Sequence, residues 1–421
     1  MNDININIGI VDKNIIPFQF NNHTIECNFD FDLYEITYEI TYNINKIKKI
    51  LGTFSNINSY IITFDKRISN KYINIITTKL HDILYCYYPS HSSIILKNVL
   101  EYTNNMVKEL TQYKDTIMDP NKTPDTFLKY VLSRLPKQYK ADVFKIKKTS
   151  TKMFTLTQCV GMGSQYNAYF VHIKPKNIKP KGMNIYMVGK SVTYDSGGMN
   201  IKIHDMEEMK TDMTGGSIIV SVLNLLKDTP HNIHLLLPIV ENMIGSTATK
   251  PGMVVTTMNN IKVEIIDTDA EGRLCIADAM EYISLNLIKN KRENNIVINI
   301  ATLTGNACKI TNSVSSLIMG NKKSMKYIEK FIKIGDEIGE YMDFLKLRKE
   351  YIDLLKSQVG DIMNINTKVQ SDCIMGGVFI NYFIDEMIPL IHIDLGCMTF
   401  IDKMANSYGI NLLYNFINML E

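Results

Sequence analysis

Four apolar runs, at 185–188, 233–240, 296–300 and 390–395, constrain this chain more than any other feature of it. Each has the length of a buried strand and is apolar at most of its positions, so both of its faces are expected to be buried. A half-solvated strand would alternate instead. Loops rich in glycine and polar residues separate the runs, and helical stretches such as 218–226 lie between them. Strands alternating with helices predict an α/β fold, with a mainly parallel central sheet flanked by helices. In such a sheet ligands bind outside the carboxyl ends of the strands, so the loops leaving these runs are where chemistry is expected.

A domain boundary is expected near Asp119-Pro120-Asn121-Lys122-Thr123-Pro124, dividing a smaller N-terminal α/β domain, 1–118, from a catalytic domain, 119–421. Thr123 suits a helix N-cap and Pro124 a first helical residue. The helix they open would carry Phe127, Leu128, Val131, Leu132 and Leu135 on one face, and Pro136 would close it. Upstream, the alternating residues 1–8 and the β-branched and aromatic run 59–64 predict strands, and apolar runs at 72–76 and 83–88 complete the module. It holds no catalytic constellation. His23, His81 and His91 lack metal-ligand spacing and read as structural or surface histidines.

Composition narrows the function by exclusion. Lysines and arginines (46) nearly cancel aspartates and glutamates (43) over 421 residues, so there is no electrostatic case for nucleic acid. No stretch approaches the roughly 20 apolar residues of a membrane span. The opening residues lack the basic start and apolar run of a signal peptide. Seven cysteines, with no Cys-x-x-Cys pair, argue against a disulfide framework and against a thiolate zinc site. A cytoplasmic protein without membrane or nucleic-acid partners is expected.

The chemistry is concentrated in three polar clusters. In Asp267-Thr268-Asp269-Ala270-Glu271-Gly272-Arg273-Leu274, an extended backbone would place Asp269, Glu271 and Arg273 on one face. A helix is expected to follow, which would put Arg273 at a helix N-terminus, where free N–H groups attract anions. Taken alone, such alternation also fits a solvated strand. The second cluster, 188–198, leaves a buried run and carries Lys190 and Asp195, and the third, 202–216, carries Lys202 and Asp212. A phosphate loop is disfavoured, because Lys190 precedes the Gly197-Gly198 pair instead of following it. Gathering Asp195, Asp212, Asp269 and Glu271 in one pocket requires cations, since unpaired buried charge costs several kcal/mol per ion. Two divalent metals would balance them, share a bridging water and stabilise the tetrahedral intermediate of a hydrolysis.

With Glu241-Asn242-Met243, Lys250-Pro251-Gly252, Ala301-Thr302-Leu303-Thr304-Gly305 and Ile391-His392-Ile393-Asp394-Leu395-Gly396, these clusters resemble the leucyl aminopeptidase family of cytosolic dinuclear metallopeptidases. The resemblance runs from about Thr123 to the C-terminus. It implies that Asp195 and Glu271 bridge two Zn²⁺ or Mn²⁺ ions, that Lys190 and Asp212 complete one site, and that Asp269 completes the other. A ligating lysine must be neutral, which two adjacent dications would favour. It further implies that Lys202 polarises the scissile carbonyl, that Arg273 holds a bicarbonate ion, and that Asp212 and a metal hold the substrate amine. Met209, Thr302 and Gly305 would line the pocket for the first side chain, and Leu303 would make a backbone contact. Peptide substrates and a homo-hexamer built as a dimer of trimers follow from the same resemblance. Two rival readings are a non-catalytic binding or structural member of the fold and a metal-dependent phosphoesterase. Asp267 stands where the family usually has Asn, Met253 where Asp follows Pro-Gly, and Ile244 where Pro often follows Glu-Asn-Met. The chain between Lys202 and Asp212 is one residue shorter than usual.

Overall fold

The computed structural model describes residues 2–10, 18–21, 24–29, 36–51, 57–87, 93–99, 101–149, 152–226, 229–288, 294–401 and 403–420. The chain divides into two compact units. One comprises Met1–Asp115 with Gly335–Glu340 and Phe400–Ser407, and the other the remainder. The division is therefore not a single cut, because two later segments join the first unit.

In the first unit, β1 (Asn2–Ile10), β2 (Phe18–Asn21), β3 (Thr24–Phe29), β4 (Ile57–Phe64) and β5 (Ser93–Lys97) form a sheet in the order β2-β3-β1-β4-β5, parallel except for the β2–β3 pair. The Asn/Ile alternation of β1 buries Ile4, Ile6 and Ile8 and leaves the residues between them half-buried. Helices α1 (Ile36–Leu51), α2 (Asn70–Tyr87) and α3 (Glu101–Met118) complete the unit. His81 is structural. It is buried, with Nε2 3.0 Å from Thr111 Oγ1 and Nδ1 2.7 Å from Lys114 Nζ. Lys114 in turn pairs with Asp82 at 2.6 Å, and Asp82 accepts from the Ser407 N–H at 2.9 Å, tying in one of the later segments. His23 and His91 lie outside the described residues.

The second unit opens with α4 (Pro124–Ser133), capped by Thr123, whose hydroxyl accepts from the Thr126 N–H. Phe127 and Val131 are buried as expected, but Leu132 faces solvent. The central sheet contains β6 (Tyr139–Ile146), β7 (Ala168–Pro175), β8 (Asn184–Gly189), β9 (Ser191–Asp195), β10 (Asn232–Asn242), β13 (Asn295–Ala301), β14 (Ser316–Gly320), β15 (Met342–Lys346) and β17 (Leu390–Asp394). A separate small sheet is made of β11 (Val254–Thr256), β12 (Lys262–Glu264) and β16 (Ile362–Met363). The central order is β15-β14-β17-β13-β8-β10-β7-β6, with β9 beside β10. Its middle, β17-β13-β8-β10, is parallel throughout, while β14 and β7 flank it antiparallel and β6 pairs antiparallel with β7. All four apolar runs are buried strands of that parallel middle.

Pleating sends Tyr186 and Val188 of β8 into one cluster with α5 (Thr155–Gly161), α7 (Gly272–Tyr282) and α10 (Asp372–Tyr382). Helix α6 (Thr214–Leu225) packs on the same strands and is almost wholly buried, as its apolar sequence requires. No described helix is long and apolar enough to cross a membrane. One expectation is corrected here: Cys308 and Cys397 form a disulfide. Their separation of 89 residues hid the pair. Because β13 and β17 are parallel neighbours, the segments that leave them, α8 (Gly305–Thr311) and the turn after Asp394, emerge side by side and carry the two cysteines.

Candidate metal centre

Parallel strands deliver their carboxyl ends to the same side of a sheet, and that is where the polar clusters meet. The chain leaving β8 begins with Lys190 and the chain leaving β13 with Thr302. Lys190 donates its backbone N–H to the Ile300 carbonyl at 3.0 Å and its Nζ to the Thr302 carbonyl at 2.9 Å. The same Nζ lies 2.7 Å from Asp212 Oδ2 and 2.8 Å from Glu271 Oε1. Asp212 follows the 3₁₀ turn Met206–Thr211, and its Oδ1 accepts from the Thr302 hydroxyl at 2.8 Å.

Asp195 ends β9. Its Oδ2 is 2.8 Å from Lys202 Nζ, and its Oδ1 accepts from the Gly197 N–H at 2.9 Å and from Asn242 Nδ2 at 2.7 Å. Gly197 has φ +85°, a conformation that favours glycine and turns the chain back towards Lys202. Asp269 pairs with Lys202 as well. Asp195, Asp269 and Glu271 each present an oxygen within 4.8 Å of the others.

The stretch 267–271 is not extended, which corrects the expectation for it. Thr268 and Asp269 form a turn closed by the Asp269 N–H donating to Asp267 Oδ1 at 2.8 Å, and Glu271 already has helical dihedrals at the start of α7. Spacing by two fits a strand, yet a turn entering a helix also brings Asp269 and Glu271 together. Asn at position 267 would offer the same side-chain oxygen, so Asp267 leaves this turn intact.

Electrostatics favour cations here. Four carboxylates face two ammonium groups in a pocket where Asp195, Asp212, Glu271 and Lys190 are all buried. Burial pushes the Asp269 carboxyl up to about 7, with Asp195 and Glu271 adding to the shift against Lys202. Burial and the Glu271 charge raise Asp195, and burial holds Asp212 well above the usual range despite Lys190. Glu271 goes the other way: burial opposes its ionisation, but Lys190 and Lys202 hold it below its ordinary value. Burial also opposes the charge of Lys190, and Asp212, Glu271 and Asp195 outweigh it. Asp212 Oδ2, Asp269 Oδ1 and Glu271 Oε1 complete no hydrogen bond of good geometry. Buried, under-satisfied oxygens with an excess of negative charge fit two divalent cations, and an oxygen-rich donor set suits hard ions.

Of the other expected residues, Thr302 and Leu303 stand at the site's edge, half-buried, and Gly305 is exposed. Asp394 holds this loop, accepting from the N–H groups of Leu303 (3.1 Å) and Thr304 (3.3 Å) and from the Thr304 hydroxyl (2.7 Å). Met209 lies in the turn before Asp212, which donates its N–H to the Met209 carbonyl at 3.3 Å. Arg273 is buried in the first turn of α7, as expected, but its guanidinium is already engaged. NH2 donates to Asp372 Oδ1 at 2.7 Å and NH1 to the Asn364 carbonyl at 3.1 Å, while Nε has no partner among the described residues. Two of the guanidinium's five N–H hydrogens are thus engaged, so donors remain, the unpartnered Nε–H among them, and the set is compatible with an oxyanion such as bicarbonate.

Sequence reasoning gave no role to Asn242, Asn364, Asp372 or Asp394. Asn242 and Asp394 lie in segments that carried the resemblance, and the signal for them was a polar residue at the end of a buried strand. Asn364 ties the 267–271 turn, donating to the Asp267 carbonyl at 2.6 Å and accepting from the Ile266 N–H at 2.8 Å.

The profile of the cytosol aminopeptidase family's catalytic domain matches residues 105–414. A "Probable cytosol aminopeptidase" of Chlorobaculum tepidum is 36% identical over 272 residues, covering 61% of this chain and 51% of its own length. Another so named, from Rickettsia rickettsii, is 31% identical over 309 residues, covering 70% and 60%. The chain thus spans about half to three-fifths of the length of these curated relatives. Among solved structures, the Caenorhabditis elegans leucine aminopeptidase superposes with a TM-score of 0.85 at 19% identity, over 99% of this chain and 95% of that one. The bottromycin maturation enzyme BotP in complex with Mn gives 0.83 at 18%, over 98% of each. At these identities the two structures speak for the fold.

Proposed function

The chain belongs to the cytosol aminopeptidase family, and from that premise we propose that it is a cytoplasmic metal-dependent aminopeptidase that removes N-terminal residues from peptides. The observation that carries the reading is the convergence of Lys190, Asp195, Asp212, Asp269 and Glu271 at the carboxyl ends of β8, β9 and β13. Asp195 and Glu271 would bridge two divalent ions, Zn²⁺ or Mn²⁺, with Lys190 and Asp212 on one and Asp269 on the other. Bound there, the ions would acidify a shared water and polarise the peptide carbonyl.

The chain's own residues do the rest. Asp212 presents a carboxylate to the substrate's amine. Lys202 keeps its charge, since Asp195, Glu271 and Asp269 outweigh the burial that opposes it, and an ammonium at the mouth of the site steadies negative charge on the carbonyl oxygen. Asp394 fixes the Thr302–Gly305 loop, whose backbone would align the peptide. Met209, Thr302 and Gly305 would border the first side chain. The family resemblance also carries a homo-hexamer.

The test is Glu271→Ala, assayed on aminoacyl fluorogenic substrates with added Mn²⁺ or Zn²⁺. The variant is expected to lose at least about 10³-fold in rate while keeping its circular dichroism and native mass, that of a hexamer. Retained activity would sink the assignment. A native protein inactive on peptides with either metal would favour a binding role, and cleavage of phosphoesters instead would favour the phosphoesterase reading.

A further inference from the structure

We propose that Cys308 and Cys397 are a reversible thiol–disulfide site, and that closing it firms the wall of the pocket for the substrate's first side chain. The inference rests on the aminopeptidase reading for its effect on turnover and on geometry for the rest.

Both cysteines stand beside the substrate loop. Residues 302–305 leave β13 and run into α8, and Cys308 lies about one turn along that helix from Gly305. A Cβ on Gly305 would meet nothing within 4 Å, so the start of α8 borders open space. Cys397 lies in the turn after β17, and the two segments touch: a Cβ on Gly396 would stand 3.2 Å from both Ala307 Cβ and Cys308 Sγ. Near the sheet, hydrogen bonds hold them. Asp394 Oδ1 accepts from the N–H groups of Leu303 (3.1 Å), Thr304 (3.3 Å) and Gly396 (3.3 Å), and the Ala301 carbonyl from the Leu395 N–H at 2.8 Å. Farther out, the bond between Cys308 and Cys397 ties α8 to the turn. A helix of seven residues has little stability of its own, so opening the bond leaves the root of the loop in place and loosens Gly305 and α8.

The bond is open to exchange. Cys397 is exposed and Cys308 half-buried, whereas Cys27, Cys159, Cys275 and Cys373 are buried free thiols. In a reducing compartment a disulfide within reach of dissolved thiols is a switch more often than a fixed staple. Closing it takes a low-molecular-weight disulfide as oxidant. The thiolate of one cysteine attacks that disulfide and displaces one thiolate, and the second cysteine then displaces the other. Two electrons pass from the cysteines to the small disulfide, and the two cysteine protons end on the two small thiols. Opening is the reverse.

The experiment poises native protein and the double variant Cys308→Ser, Cys397→Ser in a series of reduced and oxidised glutathione mixtures. Maleimide labelling of the folded protein, located by peptide mass, reads the state of the bond. Cys308 and Cys397 are expected to label at the reducing end and not at the oxidising end, reversibly. Closing should lower KM for a leucyl substrate about fivefold, with kcat nearly unchanged and a smaller effect on an alanyl substrate. It should also slow hydrogen exchange in residues 305–311. The double variant should keep the open-state KM in every mixture. Labelling of the two cysteines that does not change across the series would overturn the proposal. So would equal KM in the open and closed states, or a double variant that follows the mixtures as native protein does. If native protein hydrolyses no peptide, the aminopeptidase reading fails, while labelling and hydrogen exchange still decide whether the pair is a reversible tie on α8.

Discussion

At Gly272 the backbone of α7 passes so close to Lys190 that a Cβ would stand 2.4 Å from Lys190 Cε and 2.7 Å from its Nζ. The lysine has no free direction in which to retreat, because its ammonium is already fixed between Asp212, Glu271 and the Thr302 carbonyl. Gly272→Ala is therefore expected to leave the fold intact and to weaken metal binding at the Lys190 site by at least about tenfold. Competition with a chelator would measure it, and an unchanged affinity would show that Lys190 is not a ligand. The residues themselves were readable from sequence, since all five proposed ligands meet in the fold. What was not readable is who holds them. Asn242 on Asp195 and Asp372 on Arg273 are contacts between segments 47 and 99 residues apart, and no local pattern announces such pairs.

Among the elements, β7 and β10 make a second kind of prediction. They run antiparallel, and they stack His172 on His234 with Nε2 of the first 3.0 Å from Nδ1 of the second. Burial, helped by the Lys174 charge, lowers His172 to about 4. Burial and the neighbouring His172 lower His234 to about 3. Both values lie below the ordinary 6.5, so over that interval the unfolded chain binds more protons than the folded one. The contribution of the neutral pair is complete above about pH 6.5 and is lost as pH falls towards about 4, at up to about 1.4 kcal/mol per unit for each ring. Urea midpoints of metal-stripped protein should drop between pH 7 and pH 5, and the drop should shrink in the double variant His172→Gln, His234→Gln. An equal drop in both would contradict this. The strands of the parallel middle were legible because burial on both faces leaves a mostly apolar run. The turn at 267–271 was not, because alternate spacing is shared by a strand and by a turn that enters a helix. The Cys308–Cys397 bond was hidden for a related reason: only the pairing of β13 with β17 brings its two segments together.

For the whole molecule, the central claim is that one side of a parallel sheet gathers four carboxylates and two lysines in order to hold two divalent ions. The expected α/β architecture is present, and family membership accords with it. The division of labour proposed for the two units, with the chemistry in the second, follows from where these side chains lie, since every one of them belongs to that unit. The most direct measurement refills metal-stripped native protein with Mn²⁺ or Zn²⁺ while ions bound per chain and hydrolysis of an aminoacyl substrate are followed together. The account predicts two ions per chain, with activity rising as they bind. Full activity in the stripped protein, or saturation below two ions per chain, would contradict it.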